Sequence, residues 1–320
     1  MRLLAVVNIT SKYQETIPPV YAPNTQGKTF MASNKDRTIL VSGATGQQGG
    51  AVLRHLRERH FPVRALTRDA NSPKARALMN PGVEPVSADL DDPASLSRAL
   101  DDVYGVYSVQ SFTDNQEEEV RQGNNLVDAA NREEISHFVY SSVAAADAGT
   151  GIPHFESKGR IEEHLRNSGL PYTIFRPVFF MENWLRVKDR IEAGTLSLPL
   201  KPETRLQMIA VDDIGAFVAK AFEHSGHWNG KTYELAGDER SMEEIAQALG
   251  RAAGRDVNYV QIPWDEFERN AGHEMTVMYR WFDETGYHVD INAVREQHPA
   301  LMTFELWLAE NWPKATRAGA

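Results

Sequence analysis

Apolar positions along the chain follow two rhythms in turn. Short runs rich in β-branched and other apolar residues at 38–42, 63–67, 83–88, 103–108, 137–141 and 172–175 predict strands. Between them, at 49–59, 73–80, 93–101, 116–132 and 155–168, apolar residues recur at the spacing of a helix buried on one face. Strand and helix in alternation predict an α/β fold, a Rossmann-type doubly wound parallel sheet with crossover helices on both faces.

Beyond Arg176 the rhythm loosens. Helical patterns near 183–193, 213–224, 273–284 and 303–311 are interspersed with short strand patterns at 206–211, 232–236 and 258–262. Ser241 and Glu244 have the spacing of a capping box, opening a helix that runs to about Ala252. The expected organisation is a Rossmann domain over 37–180, which recruits later strands if the sheet needs them, and a smaller, discontinuous lobe drawn mainly from 181–320. Residues 1–36 read differently. A Pro-, Thr- and Asn-rich segment over 15–27 marks them as a poorly ordered extension outside the core, and residues 31–34 have the character of a start just before the first strand.

The first strand runs directly into Gly43, Gly46 and Gly49, and a helical face of Val52, Leu53 and Leu56 follows. A strand, a tight glycine turn and a helix N-terminus leave backbone N–H groups unpaired and aim them, with the helix dipole, at an anion. Glycine has no Cβ to hold a diphosphate away. Gly43, Thr45, Gly46, Gln47, Gln48 and Gly49 are therefore expected to cradle the diphosphate of a dinucleotide, against the alternative of a turn that only packs helix on strand.

A site for NAD(H) places an acid at the end of the second strand to accept from the ribose 2′-hydroxyl. Here that strand ends in Arg68, with Lys74 in the next helical turn and Arg76 just beyond. A guanidinium binds a 2′-phosphate that a carboxylate would repel, so NADP(H) is expected to bind more tightly than NAD(H). Asp69 stands beside Arg68 and works against that preference. The third strand ends in Asp89 and Leu90, placed by the architecture beside the adenine, although an acid there also commonly caps the next helix.

Bulk properties narrow the picture. The chain has 320 residues, 42% of them hydrophobic and 24% charged, which is ordinary for a globular protein with a normal core. A formal net charge of −10 supplies no positive field for direct nucleic-acid binding, though it leaves protein partners open. No cysteine is present, so disulfides, thiolate metal sites and cysteine nucleophiles are excluded. No apolar run reaches membrane-spanning length, and residues 1–7 are too short for a signal peptide's apolar region. A cytoplasmic protein is expected, with nuclear access if the source is eukaryotic. His224, Ser225 and His227 lack acids at ligand spacing, so no metal is expected. Glu117, Glu118 and Glu119 read as helix N-terminal charge favoured by the dipole.

Several stretches together resemble the NmrA-like branch of the atypical short-chain dehydrogenase/reductase superfamily, from about Thr38 to Trp312. They are the glycine turn at 43–50, the segment 66–75, the pair 122–130 and 137–142, and above all 154–163 with 175–183. The resemblance implies a domain that binds NADP(H), sometimes NAD(H). It also implies one of two roles. Some members are regulators that sense the dinucleotide without turning it over; others are reductases of quinones, dyes or phenylpropanoids.

Ordinary short-chain dehydrogenases carry a Tyr four residues before a Lys. The Tyr protonates a carbonyl oxygen, and the Lys lowers the Tyr pKa and binds the nicotinamide ribose. Here Lys158 occupies the Lys position and His154 stands where the Tyr would be. Residues four apart share a helix face, so both can point toward a nicotinamide, with His154 as a proton-transfer group and Lys158 as a ribose ligand. A nearby ammonium would disfavour charge on His154, and His154 just before the helix would only hold the loop. Ser141 ends the fifth strand, where the superfamily carries a catalytic Ser. Phe179, Phe180, Trp184, Tyr279, Trp281 and Phe282 are expected to form core and cleft wall. The missing phenol and acidic balance favour a redox-sensing or dinucleotide-sensing regulator, in transcriptional regulation for example, that acts as monomer or dimer through a protein partner. The alternative is an NADPH-dependent reductase of quinone-like or other small apolar acceptors, favoured by the retained Lys158 and the aromatic C-terminal half.

Overall fold

The computed structural model describes residues 33–110 and 115–313. Most of the extension expected over 1–36 lies outside the described residues; within them, Asn34–Asp36 form a single 3-10 turn capped by Ser33. The chain begins in earnest with β1 (Ile39–Val41), α1 (Gln47–Glu58), β2 (Val63–Thr67), α2 (Pro73–Arg76) and β3 (Val83–Ser87). There follow α3 (Pro93–Leu100), β4 (Gly105–Ser108), α4 (Gln116–Arg132), β5 (His137–Ser141), α5 (Pro153–Asn167) and β6 (Tyr172–Pro177). Proline opens α2, α3 and α5, where its missing N–H costs no helical bond, and Ser72 and Asp92 cap the first two.

The central sheet has seven strands in the order β10-β6-β5-β4-β1-β2-β3 and is parallel throughout. Its seventh strand, β10 (Lys231–Leu235), comes from the C-terminal half and pairs with β6. β1, β4 and β5 are buried along their whole length, as a parallel sheet covered on both faces requires. One face carries a core built around Leu96, Val106, Leu126, Phe138 and Ile161, between the sheet and α3, α4 and α5. The other joins α1 to α7 (Val211–Glu223) and to the C-terminal half.

That half is discontinuous. A 3-10 helix, Met181–Val187, and α6 (Lys188–Glu192) stand where one helix over 183–193 is expected. A three-stranded sheet orders β11 (Asp238–Ser241), β9 (Arg205–Ile209) and β7 (Phe179–Phe180). A parallel pair joins β8 (Thr195–Leu198) to β12 (Asn258–Gln261). The chain also forms α8 (Ser225–Trp228), α9 (Met242–Ala253), α10 (Trp264–Ala271), α11 (His273–Glu284), α12 (Ile291–Gln297) and α13 (Phe304–Asn311). The capping box forms as its spacing predicts: Glu244 N donates to Ser241 Oγ and Ser241 N to the Glu244 carboxylate. Left-handed Gly254 closes the same helix.

Candidate active site

The strand order reverses between β1 and β4, and in open parallel sheets ligands bind at the carboxyl ends of the strands beside such a reversal. The glycine turn sits there. Gly43 adopts φ +61°, and its carbonyl accepts from Gly46 N at 2.8 Å. Gly49 packs so closely that a Cβ would overlap the Gly43 carbonyl oxygen. Gly46, the N-cap of α1, offers no side chain to its first N–H groups, and Thr45, Gly46 and Gln47 are exposed. The result is an open cradle of backbone donors at the positive end of a helix, the chemistry an anionic diphosphate needs. Gln48 turns inward instead. Its Oε1 accepts from Ser141 Oγ at 2.7 Å and from the Tyr107 hydroxyl at 3.3 Å, bridging α1 to the ends of β4 and β5.

Beyond β2, Arg68, Lys74 and Arg76 are exposed and form no ion pair among the described residues. Asp69 forms no ion pair with them; its carboxylate accepts from Asn71 N at 2.8 Å within its own turn. Asp89 is exposed at the end of β3 and accepts from Asp91 N at 2.9 Å; the capping of α3 falls to Asp92. The Leu90 carbonyl accepts from Asn125 Nδ2 at 2.8 Å, which ties this edge to α4.

α5 starts one residue before His154, so His154 and Lys158 share a helix face as their spacing predicts. His154 is thus within the first turn of the helix rather than before it. Its Nδ1 lies 2.7 Å from Glu274 Oε1 on α11, and the second oxygen of Glu274 accepts from Gln116 Nε2 at 3.2 Å. Burial holds the His154 pKa below the ordinary imidazole value and Lys158 pushes it the same way, while Glu274 and Glu119 oppose both. Lys158 Nζ donates to Glu119 Oε1 at 2.6 Å, and Ser157 Oγ donates to the other oxygen at 2.6 Å.

Glu119 corrects the reading of 117–119 as plain helix-terminal charge. Glu117 does face water and pairs bidentately with Arg160, but Glu119 is only 1% exposed. The signal was present in the sequence, since Glu119, Gly123, Leu126 and Ala130 fall on one helical stripe and all are buried. Glu274 and Gln116 left no such trace, because their roles depend on α11 reaching α4 and α5. Near the ends of β4 and β5, Gln110 Oε1 and Ser142 Oγ are buried and have no hydrogen-bond partner among the described residues. Buried polar atoms of this kind are normally satisfied, and a polar ligand in the cleft would do so. Of the predicted aromatic wall, Trp184, Tyr279 and Phe282 are core, whereas Phe179, Phe180 and Trp281 are half-buried and can line a cleft.

The stretches 154–163 and 175–183 are held in ion pairs and caps. Arg176, buried at the end of β6, donates to both oxygens of the fully buried Glu162 (2.8 and 2.6 Å) and to Asp147 (2.8 Å). Glu182 accepts from Val211 N at 3.1 Å and Trp307 Nε1 at 3.0 Å, capping α7 from a distance.

The profile of the NmrA-like family matches residues 35–308. The chain belongs to that family, whose fold is a Rossmann-type, NAD(P)-binding one. It is 35% identical to an NAD(P)H azoreductase of Xenophilus azovorans over 230 residues, covering 71% of this chain and 78% of the relative. Triphenylmethane reductase from Citrobacter sp., complexed with NADP(H), shares the fold with a TM-score of 0.76 at 23% identity, covering 85% of this chain and 99% of that one. The negative transcriptional regulator NmrA, in complex with NADP, superimposes with a TM-score of 0.72 at 21% identity, covering 87% and 96%. Among the described residues of this NmrA-like protein, no helix is long and apolar enough to cross a membrane.

Proposed function

We propose that this NmrA-like protein is an NADPH-dependent reductase of conjugated, largely apolar acceptors such as quinones or azo compounds. The observation that carries the reading is the placing of His154 and Lys158 on one face of α5, with Phe155 of the same helix set edge-on to the His154 ring and 5.8 Å from the half-buried Trp281. The 35% identity to an azoreductase supports it. In this reading residues 37–180 hold the coenzyme and 181–320 mainly shape the acceptor site. Gly43, Thr45, Gly46, Gln47 and Gly49 bind the diphosphate through backbone N–H groups. Arg68 and Lys74 take the 2′-phosphate and set the preference for NADP(H) over NAD(H). Asp89 and Leu90 flank the adenine. Lys158 binds the nicotinamide ribose, Gln48 and Ser141 order the floor beneath it, and His154 moves a proton. When bound, the reduced nicotinamide supplies a hydride.

A phenol is dispensable for such acceptors, because the charge left by the hydride is delocalised and the acid assistance it needs can come from His154 instead. The second reading, a dinucleotide-sensing regulator acting through a protein partner, draws support from the absent phenol and from Lys158 being engaged by Glu119. Turnover separates them. Purified protein with NADPH and a panel of quinone and azo acceptors is expected to consume the reduced-nicotinamide absorbance. Tight NADPH binding with no oxidation by any acceptor would overturn the reductase in favour of the regulator.

A further inference from the structure

Glu274 joins three helices. One carboxylate oxygen meets His154 Nδ1 on α5 at 2.7 Å and the other accepts from Gln116 on α4 at 3.2 Å, while Glu274 itself stands at the start of α11. The His154 and Glu274 side chains are 13% and 21% exposed, so water competes weakly for the bond. A carboxylate at Nδ1 fixes that nitrogen as the donor and sets the ring plane, so a proton that the imidazolium gives up to a ligand leaves from Nε2. The charges acting on the imidazole include Glu274 from α11, Glu119 from α4 and Lys158 from its own helix.

We propose that Glu274 is a positioning residue that orients His154 as the proton donor to the acceptor, which makes the C-terminal half a participant in the chemistry. This rests on the reductase reading. In the step, one atom of a quinone or azo group accepts a hydride, and with it an electron pair, from the reduced coenzyme. The N–H bond at His154 Nε2 breaks and an O–H or N–H bond forms on the conjugate atom of the acceptor. The coenzyme is oxidised by two electrons, the acceptor is reduced by two, and solvent returns the proton to the imidazole. A cationic triarylmethyl dye differs in one respect: hydride alone converts it to a neutral product, and no proton is required.

That difference supplies the test. Glu274→Gln is expected to lower kcat for a quinone about tenfold, a part of the roughly 10²–10⁴-fold that general acid catalysis contributes, with little change in KM for NADPH. Turnover of a cationic triarylmethyl dye should hold within about twofold, so the quinone-to-dye ratio falls. Because Glu274 favours the charged imidazole, its loss should also move the alkaline fall of quinone kcat to lower pH, and Glu274→Asp should restore part of the rate. In coenzyme-free protein, the NMR titration of the His154 ring should move to lower pH in Glu274→Gln. Parallel loss with both acceptors, or an unmoved His154 titration, would overturn the positioning role. Wild-type protein that reduces neither acceptor would overturn the reductase reading itself.

Discussion

In the proposed reading, Arg68 contributes most of the coenzyme preference from a single side chain. It is exposed, its guanidinium has no ion-pair partner among the described residues, and the neighbouring Asp69 is occupied by the Asn71 amide. Nothing therefore has to be broken before it meets a phosphate, and the bidentate fork of arginine suits that anion better than the point charge of Lys74 does. Replacing Arg68 by Glu removes charge-assisted hydrogen bonds worth about 1.5–3 kcal/mol and adds repulsion. NADPH affinity is expected to fall by about 100-fold or more, while NADH affinity changes by less than about threefold. Calorimetric titration with both coenzymes checks this, and an equal loss of the two would place the 2′-phosphate elsewhere. Fold stability should not move, because exposed sites of this kind contribute within about 0.5 kcal/mol.

The packing of α4 on α5 shows how an element can hide a site residue's structural duty. A Cβ at Gly123 would approach Ile161 Cδ1 to 2.6 Å, so the helices meet closely, and Glu119 is sealed one turn away from that contact. Lys158 is the cation that compensates Glu119, and Ser157 completes its acceptors. Removing one partner of a buried pair strands the other, at about 3–5 kcal/mol, whereas removing both can be nearly neutral. Lys158→Ala is therefore expected to destabilise the fold by several kcal/mol, and Lys158→Met with Glu119→Gln to recover most of it. Urea melts of the two single variants and the double variant measure the coupling; additive effects would show that the pair is not a structural unit. Loss of activity in Lys158→Ala alone therefore says little about chemistry until this duty is separated. The elements themselves were largely legible in the sequence. β1 to β6 and the helices between them follow local periodicity, and the glycine turn and capping box are short-range signals. α2 ends at Arg76 rather than 80, ahead of Pro81 and Gly82. β12 is announced by the strand pattern at 258–262, whereas β8 and β11 leave no local signal because each spans only four residues and their partners are remote in sequence. Glu274 escaped for the same reason on a larger scale, since 120 residues separate it from His154.

At the scale of the whole chain, the C-terminal half completes the coenzyme domain as well as covering it. β10 covers the edge of β6 over five paired residues. α7 lies on α1 with Gly215 so close that a Cβ there would stand 2.8 Å from the Ala51 carbonyl carbon. One core joins Ile39, Val41, Val52 and Leu56 to Ile214, Phe217, Val218 and Trp307. A chain ending at residue 180 would leave the β6 edge unpaired and expose the α1 side of the sheet. Each uncovered Val, Leu, Ile or Phe forfeits about 1.5–3 kcal/mol of burial. A handful of them already equals the roughly 5–15 kcal/mol that holds a domain folded. The fragment 33–180 is therefore expected to lack near-ultraviolet circular dichroism, to associate through its bare edge, and to bind no coenzyme, although it contains the glycine turn, Arg68 and Lys158. The chain 33–313 should instead melt cooperatively, with a Tm that rises as NADPH is added, because ligand binds only the folded form. A fragment 33–180 that melts cooperatively and takes up NADPH with the affinity of the longer chain would show that the first six strands stand alone. Packing across the sheet argues otherwise: the glycine turn proposed to hold the diphosphate stands at the end of a helix whose buried face is shared with residues some 160 positions later in the chain.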